Sequence, residues 1–366
     1  MDLIVPGSRD EVAEALAAAR ASRRRLLPAG GRTHLDKGNP SPVDAELELT
    51  ALDRLVDYHP AEMIAVVEAG MRCGQLDRLV AGHGQEWPVD APAGATVGGV
   101  IAAAASSPRR LAVGPVRDLV LEVELVTGAG RRVRAGGRTV KNVSGYDLCR
   151  LVTGSLGTLG VLVQVAVKLR PRPRARRTVL GRGGLDRAAA LLSGVPLVTA
   201  VLVTPAGIEL RLEGWPEDVD EQTGRALELL GGEAEVRDGV PFPLGRPLAA
   251  APVVVEAAVA PSRLPELVEA ATARGGPGGR DGRDGRGGPA WAALAGVGIC
   301  WVGLDGPGER LDALRERVAE LGGIAPVVRG HGGLGAAPPA LAVQRRLKQA
   351  FDPAGVLAPG RFWGGL

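Results

Sequence analysis

The sequence predicts an α+β protein made of two domains. Its 366 residues exceed the size of a typical single domain. The first half reads as a capped helix followed by strands and a hairpin, whereas the second half repeats strand–helix units. Such tandem units are typical of an open sheet with helices on one face. A basic, proline-spaced segment at 170–177 separates the two halves and predicts a solvated linker.

The elements of the first half begin with a helix. Ser8 and Glu11 form a capping box, and apolar residues then recur at helical spacing, which predicts a helix at 9–21. Four further elements are predicted: a buried strand at 64–68, a short helix at 74–81, a half-exposed strand at 121–126 that turns back into 131–134, and a strand at 161–169.

The second half predicts strands at 198–203, 208–212, 253–259 and 295–304, and helices at 217–230, 262–273, 308–321 and 341–351. Ser262 is the predicted N-cap of the helix that reaches Ala273. The stretch 274–289 contains only Gly, Arg, Asp and Pro. It has no apolar side chain to bury, which predicts a disordered loop.

Composition excludes several classes of function. A formal net charge of +3, from 44 basic and 41 acidic residues, argues against a nucleic-acid-binding face. The three cysteines lie far apart, which suits a reducing cytoplasm and cannot ligate an iron–sulfur cluster. The sequence has no run of about twenty apolar residues, so no membrane span is expected. The N-terminus lacks the pattern of a signal peptide.

Two glycine-rich turns are the first candidates for a binding site. The first turn is Pro28-Ala29-Gly30-Gly31-Arg32-Thr33-His34 and the second turn is Gly94-Ala95-Thr96-Val97-Gly98-Gly99-Val100. Turns of this kind expose backbone amides that hold phosphate groups. Because the chain has 54 glycines, a glycine-rich turn can arise by chance. Either turn taken alone is therefore better explained as a simple chain reversal than as a ligand site.

A third glycine-rich stretch strengthens the interpretation of the two turns as a ligand site. Lys141–Leu148 is followed by Gly154–Val161, where Gly157 and Gly160 allow a flat ligand to approach the backbone. None of these segments has the position of a Rossmann fingerprint, whose glycines follow the first strand and open a helix.

These segments resemble the FAD-binding domain of vanillyl-alcohol-oxidase and para-cresol-methylhydroxylase (PCMH) type flavoproteins, over residues 1–170. The motifs GATVGG (94–99) and VKNVSGYDLCRLVTGSLGTLGVL (140–162) are closer still to the FAD-binding subunit of glycolate oxidases, GlcE type. The segment RRLKQAFDPAGVLAPGRF, Arg345–Phe362, resembles the closing segment of that subunit.

The resemblance implies a two-lobed FAD-binding domain at 1–170, with lobes at about 1–55 and 56–170. A linker at 171–177 and a smaller ferredoxin-like α/β cap domain at 178–330 would follow. The C-terminal segment 331–366 would return to pack on the FAD-binding domain.

The resemblance also assigns cofactor-binding residues. The first turn would wrap the FAD diphosphate, the second would approach the isoalloxazine and ribityl side, and the third would face the adenosine half. The residues so assigned are Pro28, Ala29, Gly30, Gly31, Arg32, Thr33, His34, Pro92, Gly94, Ala95, Thr96, Gly98, Gly99, Gly157, Thr158, Gly160 and Val161.

Asp118 is a further candidate, either as a contact to FAD or as a cap at a strand start. Lys141 and Asn142 would neutralise the cofactor or fix the following turn, and the structural role is favoured. The chain departs from the family pattern at Arg32, Ser107 and Ala358. Ser107 in place of a glycine predicts a strained or reshaped loop.

Catalytic residues are not evident in the sequence. Oxidation of a 2-hydroxy acid needs a base for the hydroxyl proton and a cation for the carboxylate. Only His331 of the four histidines lies beyond the linker, and it is a weak candidate. His59 and His83 fit ordinary loop or helix-end positions, and no metal cluster is evident.

Three functions therefore remain open. The first is an FAD-binding subunit of a glycolate (2-hydroxy-acid) dehydrogenase complex, with a homologous catalytic flavoprotein subunit and an iron–sulfur subunit as partners. The second is a stand-alone FAD-dependent 2-hydroxy-acid oxidoreductase that uses His331. The third is a scaffold subunit without flavin. The expected location is the cytoplasm, or the inner face of the cell membrane through the complex.

Overall fold

The computed structural model describes residues 2–138, 145–232, 234–239, 248–273 and 290–366. The chain divides into two compact units. Unit 1 comprises Met1–Ser107, Gly114–Arg172 and Ala336–Leu366, and unit 2 comprises Pro108–Val113 and Pro173–Gly335. The predicted return of the C-terminal segment to the first domain is confirmed. The predicted loop at 274–289 and the candidates Lys141 and Asn142 lie outside the described residues.

The regular elements are numbered here in chain order. The strands are β1 (Asp2–Ile4), β2 (Leu26–Ala29), β3 (Ala45–Glu48), β4 (Leu55–His59), β5 (Ile64–Glu68), β6 (Gln85–Glu86), β7 (Val120–Val126), β8 (Arg132–Gly136), β9 (Val161–Lys168), β10 (Arg170–Pro171), β11 (Ala175–Gly181), β12 (Val198–Thr204), β13 (Gly207–Gly214), β14 (Glu235–Asp238), β15 (Val253–Ala258), β16 (Trp291–Leu294), β17 (Ile299–Leu304) and β18 (Val327–Arg329). The helices are α1 (Arg9–Ser22), α2 (Cys73–Ala81), α3 (Val97–Ala103), α4 (Arg110–Val113), α5 (Leu148–Val152), α6 (Leu185–Gly194), α7 (Pro216–Leu230), α8 (Leu264–Thr272), α9 (Glu309–Glu320) and α10 (Leu341–Phe351).

Helix α1 begins as its capping box predicts. The Ser8 hydroxyl accepts a hydrogen bond from the Glu11 amide at 3.2 Å, and the Glu11 carboxylate accepts one from the Gly7 amide at 2.9 Å. These contacts satisfy amides that a helix start leaves without partners. The buried face of α1, which includes Val12 and Leu16, packs on the small sheet of unit 1.

Unit 1 contains two principal sheets. β1, β3 and β2 form a parallel three-stranded sheet, and β4, β5, β9, β7 and β8 form an antiparallel five-stranded sheet. The C-terminal segment extends the smaller sheet, because Leu357 forms a parallel bridge with Leu26. Leu357 and its neighbour Val356 are buried in the same apolar cluster as α1.

Strand β7 is more buried than its alternating sequence predicts. Glu122 and Glu124 were expected to face water, yet they are only 6% and 7% exposed. Glu124 is paired with Arg9 at 2.9 Å and with Arg132. Glu122 is paired with Arg134 at 2.8 Å. Buried carboxylates need such partners. The alternation of apolar and polar residues along a strand does not show whether a carboxylate is paired and buried or exposed to water.

Unit 2 is built from two consecutive β-α-β-β-α-β repeats. The first runs β11-α6-β12-β13-α7-β14 and the second β15-α8-β16-β17-α9-β18. Each is a ferredoxin-like unit, and β12 pairs with β16 to join them into one antiparallel sheet of order β14-β11-β13-β12-β16-β17-β15-β18. The predicted α+β fold with a ferredoxin-like second domain is confirmed.

Two local predictions in the second half are wrong, and a third segment is more ordered than expected. Helix α8 begins at Leu264 after a 3₁₀ turn at Pro261–Arg263, and no side chain caps its start. The proposed strand at 295–304 is the second arm of a hairpin whose first arm, β16, was missed. The basic linker is partly ordered, because β11 begins at Ala175 and Arg176 pairs with Glu213 at 3.4 Å.

Candidate functional site

Unit 1 contains a cavity that is partly open to solvent. The first turn, part of α3, the third glycine-rich stretch and one C-terminal residue surround it. The lining residues are Pro28, Ala29, Gly30, Gly31, Arg32, Thr33, His34, Leu35, Leu49, Ala69, Thr96, Gly98, Gly99, Ala102, Ala103, Ser155, Leu156, Gly157, Gly160, Val161, Leu162 and Arg361.

The first turn leaves β2 and presents backbone amides to this cavity. Among hydrogen bonds between described residues, none uses the amides of Gly30, Gly31, Arg32 or Thr33 as donor. Arg32 adopts a left-handed φ of 56°, which turns the backbone sharply. Successive free amides in such a turn form a binding site for an anion.

The second turn supports the first turn from behind. A Cβ built on Gly31 would lie 1.8 Å from the Gly94 carbonyl oxygen, and one built on Gly30 would lie 2.2 Å from the Thr96 hydroxyl oxygen. The Cβ direction of Gly31 therefore points at the other turn. Position 31 needs a glycine because two backbone segments are in contact there and leave no room for a side chain.

The amides of the second turn are already used within the protein. Val97 donates to Met71 O and Gly98 to Ala69 O, both at 2.8 Å. Gly99 donates to the Thr96 hydroxyl at 3.2 Å, which caps the start of α3. This turn therefore contributes surface to the cavity through Thr96, Gly98 and Gly99, whereas its hydrogen bonds hold the chain.

The third stretch forms another wall. Gly157 has a φ of 77°, and a Cβ there would lie 3.4 Å from the Pro28 side chain in the first turn. A Cβ at Gly160 would lie 2.3 Å from Leu125 Cδ1, so this glycine is required by packing against β7. The Leu156 amide donates to Ala102 O at 2.9 Å, which ties this wall to α3.

Among the residues that the structure describes, the charged side chains that line the cavity are both basic. These are Arg32 and Arg361, and no described aspartate or glutamate lines it. The Arg32 guanidinium forms ion pairs with Glu46 and Glu48, so its charge is paired, and 44% of its side chain is exposed.

Arg361 lies at the cavity from the C-terminal segment. It is only 7% exposed, and its Nη2 atom donates to the carbonyls of Leu35 and Lys37, each at 2.7 Å. Burial lowers the pKa of Arg361, and the charge of Asp36 opposes that shift. The closing motif Pro359-Gly360-Arg361 marked this residue in the sequence, but nothing in the pattern predicted its location.

A buried ion pair fixes the C-terminal segment near the same cavity. Lys348 Nζ lies 2.7 Å from Asp352 Oδ2 and also donates to the carbonyls of Thr158 and Leu357. The Asp352 side chain is fully buried and accepts hydrogen bonds from the Val356 and Leu357 amides. Such a pair with its remaining hydrogen bonds satisfied holds one geometry.

Several predicted site residues lie outside the cavity lining. Pro92, Gly94 and Ala95 lie in or before the second turn, where the Gly94 carbonyl accepts from Arg72. Thr158 is buried, and its hydroxyl donates to Ser155 O at 2.7 Å. Asp118 sits in a 3₁₀ turn with a half-exposed side chain, 3.8 Å from Arg150.

Residues that sequence reasoning missed are mainly apolar or in the C-terminal segment. Leu35, Ala102, Ala103, Ser155 and Leu156 line the cavity. Small apolar side chains carry no chemical signal in a sequence rich in alanine, which explains their absence from the prediction.

The departures from the family pattern have different outcomes. Ser107 does not adopt a left-handed backbone, and its hydroxyl donates to Asp90 at 3.0 Å, so the predicted strain is absent. Ala358 has a φ of 41°, a conformation that asparagine and glycine adopt more readily than alanine.

The histidines do not assemble a catalytic cluster. His34 Nδ1 lies 2.9 Å from the Thr33 hydroxyl at the cavity, His59 pairs with Asp57, and His83 packs edge-on against Tyr58. His331 is exposed in unit 2. Across the described ranges, no group of three or more His, Cys, Asp or Glu residues is placed to hold a metal ion.

The residues of the cavity fit FAD on this geometry. Free amides in the first turn suit a diphosphate, and the walls of Ala, Val and Leu side chains suit flat rings. The close approach of Gly31 to Gly94 fixes the shape of the first turn.

Comparisons with known proteins agree with this fit. Residues 3–136 match the family described as FAD binding domain. Glycolate oxidase subunit GlcE of Escherichia coli (strain K12) is 36% identical over 186 residues, which cover 49% of this chain and 52% of that protein. Glycolate oxidase subunit GlcD of Bacillus subtilis (strain 168) is 31% identical over 211 residues, covering 57% of this chain and 44% of that protein.

A solved structure shares the fold across nearly the whole chain. Alkyldihydroxyacetonephosphate synthase superposes with a TM-score of 0.68 at 16% identity, covering 98% of this chain and 75% of that one. The chain spans about half the length of the curated relatives it matches.

Proposed function

We propose that the cavity of unit 1 holds FAD and that the chain is the flavin-carrying subunit of a 2-hydroxy-acid dehydrogenase complex, because residues 3–136 match the family described as FAD binding domain. Glycolate is the proposed substrate and glyoxylate the product. The electrons would pass to an iron–sulfur partner. The observation that carries the proposal is the set of free amides in the first turn, Gly30–Thr33, facing a cavity that no acidic side chain of the described residues lines.

The residues of this chain would bind and orient the cofactor. The amides of Gly30–Thr33 donate to the diphosphate oxygens. The walls formed by Ala102, Leu156 and Val161 exclude water from the rings. The bound FAD supplies the two-electron acceptor for the oxidation.

A subunit role is favoured over a stand-alone enzyme because the described lining of the cavity offers few candidates for a catalytic base. Hydroxy-acid oxidation needs a base for the hydroxyl proton, and the cavity lining offers His34 as its only imidazole, beside the Thr33 hydroxyl. The relatives GlcE and GlcD are each described as a subunit of glycolate oxidase. A homologous flavoprotein subunit is therefore the proposed source of the base.

The proposed site of action is the cytoplasm, alone or at the inner face of the cell membrane through the complex. In the part of the chain that the structure describes, no helix combines the length and the apolar character needed to cross a bilayer.

Purification of the chain alone and together with its proposed partner subunits tests the function. The chain alone should carry FAD, seen as the visible flavin absorbance, and glycolate should not bleach it under anaerobic conditions. The complete complex should be reduced by glycolate. Bleaching of the isolated chain would instead identify a stand-alone oxidoreductase, and a colourless chain that takes up no added FAD would identify a scaffold.

A further inference from the structure

Arg361 is a buried cation whose protein contacts leave most of its donors unused. An arginine side chain has five N–H donors. Nη2 alone makes both hydrogen bonds recorded for the side chain, to the Leu35 and Lys37 carbonyls. Within the described ranges, no carboxylate lies at ion-pair distance from this guanidinium. Its Nε and Nη1 atoms therefore have no partner among those residues.

The Nε and Nη1 atoms of Arg361 are not among the buried atoms without a hydrogen-bond partner. Solvent, or a ligand in the cavity, can therefore reach these donors. Arg361 lines the same cavity as the free amides of Gly30–Thr33. A guanidinium binds phosphate oxygens through paired, charge-assisted hydrogen bonds, which a neutral amide turn cannot supply alone.

The position of Arg361 is fixed by the rest of the C-terminal segment. Its carbonyl accepts from the Asn39 amide at 2.8 Å, and its amide contacts Ala358 O at 3.2 Å. Upstream, the Lys348–Asp352 ion pair anchors the segment to the Thr158 carbonyl. The guanidinium is thus held before any ligand arrives.

We propose that Arg361 binds the diphosphate of the dinucleotide cofactor, opposite the amides of the first turn. The inference rests on the proposed function only in taking the cofactor to be a flavin dinucleotide. It assigns to the C-terminal segment a direct role in holding the cofactor, so that the site is completed from both ends of the chain.

Binding of FAD and of riboflavin, which lacks both phosphates, separates charge recognition from loop support. Flavin-free protein is titrated with each compound, and the dissociation constants are measured by fluorescence. Arg361→Gln should weaken FAD binding at least about tenfold, the loss of a charge-assisted contact of about 1.4 kcal/mol. Its riboflavin affinity should stay within about twofold, and Arg361→Lys should recover part of the FAD affinity. Arg346→Gln is the control and should leave both affinities unchanged, because Arg346 is exposed on α10 and does not line the cavity.

The outcomes are distinguishable. An equal loss of FAD and riboflavin affinity in Arg361→Gln would show that the residue only shapes the 35–37 loop, and an unchanged FAD affinity would show that it does not meet the diphosphate. Either result overturns the inference and leaves the proposed function intact. A wild-type chain that binds FAD but is never reduced by glycolate, even within the complex, contradicts the proposed function alone. A wild-type chain that binds no FAD contradicts both.

Discussion

The two glycine-rich turns look alike in the sequence and differ in what their amides do. The amides of Gly30–Thr33 in the first turn have no protein acceptor among the described residues, whereas Val97, Gly98 and Gly99 in the second donate to protein oxygens. This difference supports the proposal that the first turn is the binding element and the second is its support. Glycine content identifies places where backbone comes close to something, and the hydrogen bonds decide whether that partner is a ligand or the protein itself.

The supports of the two turns also differ. The second turn is fixed by the nearby segment 69–73. The first turn depends on the far end of the chain, through the Leu26–Leu357 bridge and the Arg361 contacts to Leu35 and Lys37. A disturbance of the C-terminal segment should thus affect the first turn more than the second.

The largest expected effect follows from removal of the buried lysine. Lys348→Met leaves Asp352 without its charged partner in a fully buried position, which should cost about 3–5 kcal/mol in the free energy of unfolding. Denaturant unfolding measures this loss, and FAD retention should fall with it. Arg346→Met, an exposed position on the same helix, is the control and should change stability little. Equal stability of the two variants would show that the C-terminal segment is not anchored by this pair.

The contact between the turns is the next target. In Gly31→Ala the new Cβ would collide with the Gly94 carbonyl oxygen, so the turns must separate. We expect a loss of about 1–3 kcal/mol together with weaker FAD binding, measured by unfolding and flavin titration. Gly82→Ala is a matched control, since a Cβ there meets nothing within 4 Å. A Gly31→Ala protein that binds FAD like the wild type would show that FAD binding does not depend on the contact between the two turns.

The cap of the second turn should affect stability and leave cofactor binding almost unchanged. Thr96→Ala removes the hydroxyl that accepts from the Gly99 amide, at an expected cost of about 0.5–2 kcal/mol. FAD affinity should change far less than in Gly31→Ala when both are measured in the same titration. A selective loss of FAD affinity at full stability would instead make Thr96 a ligand contact.

The smallest effect is expected at Arg32, whose side chain is committed to acidic neighbours. Arg32→Gln should cost about 0–1 kcal/mol. The Thr50 hydroxyl and the Arg32 guanidinium hold the pKa of Glu48 below its ordinary value. This contribution is present above the unfolded-state pKa and is lost as the pH falls through the folded-state pKa. Stability measured from neutral to acidic pH should therefore decline less steeply in the variant, and an identical decline would contradict the pairing.

The sequence predicted the fold well where local signals agree. The capping box at Ser8 and Glu11 placed α1, and strand periodicity placed β5, β7 and β9. The sequence did not reveal which alternating residues are buried, as Glu122 and Glu124 show, since their arginine partners come from other strands. The hairpin arm β16 was missed because its four residues follow a long glycine-rich stretch and carry little periodicity.

The candidate site was predicted in part, by resemblance more than by chemistry. The first turn, Gly98, Gly99, Gly157 and Gly160 do share one cavity, while their contacts to FAD stay a prediction. Asp118 does not line the cavity and lies 3.8 Å from Arg150. The charge of an aspartate in a sequence does not tell where the fold places it. Arg361 was missed because more than three hundred residues separate it from Leu35 and Lys37, the residues it contacts.

A crystal structure of the FAD-bound chain is the most direct test of the central claim. We predict that the diphosphate oxygens lie within hydrogen-bonding distance of the Gly30–Thr33 amides, and that the Val97 and Gly98 amides keep their protein acceptors. A diphosphate bound at the second turn, or a cofactor outside the cavity, would contradict the assignment of the first turn as the binding element.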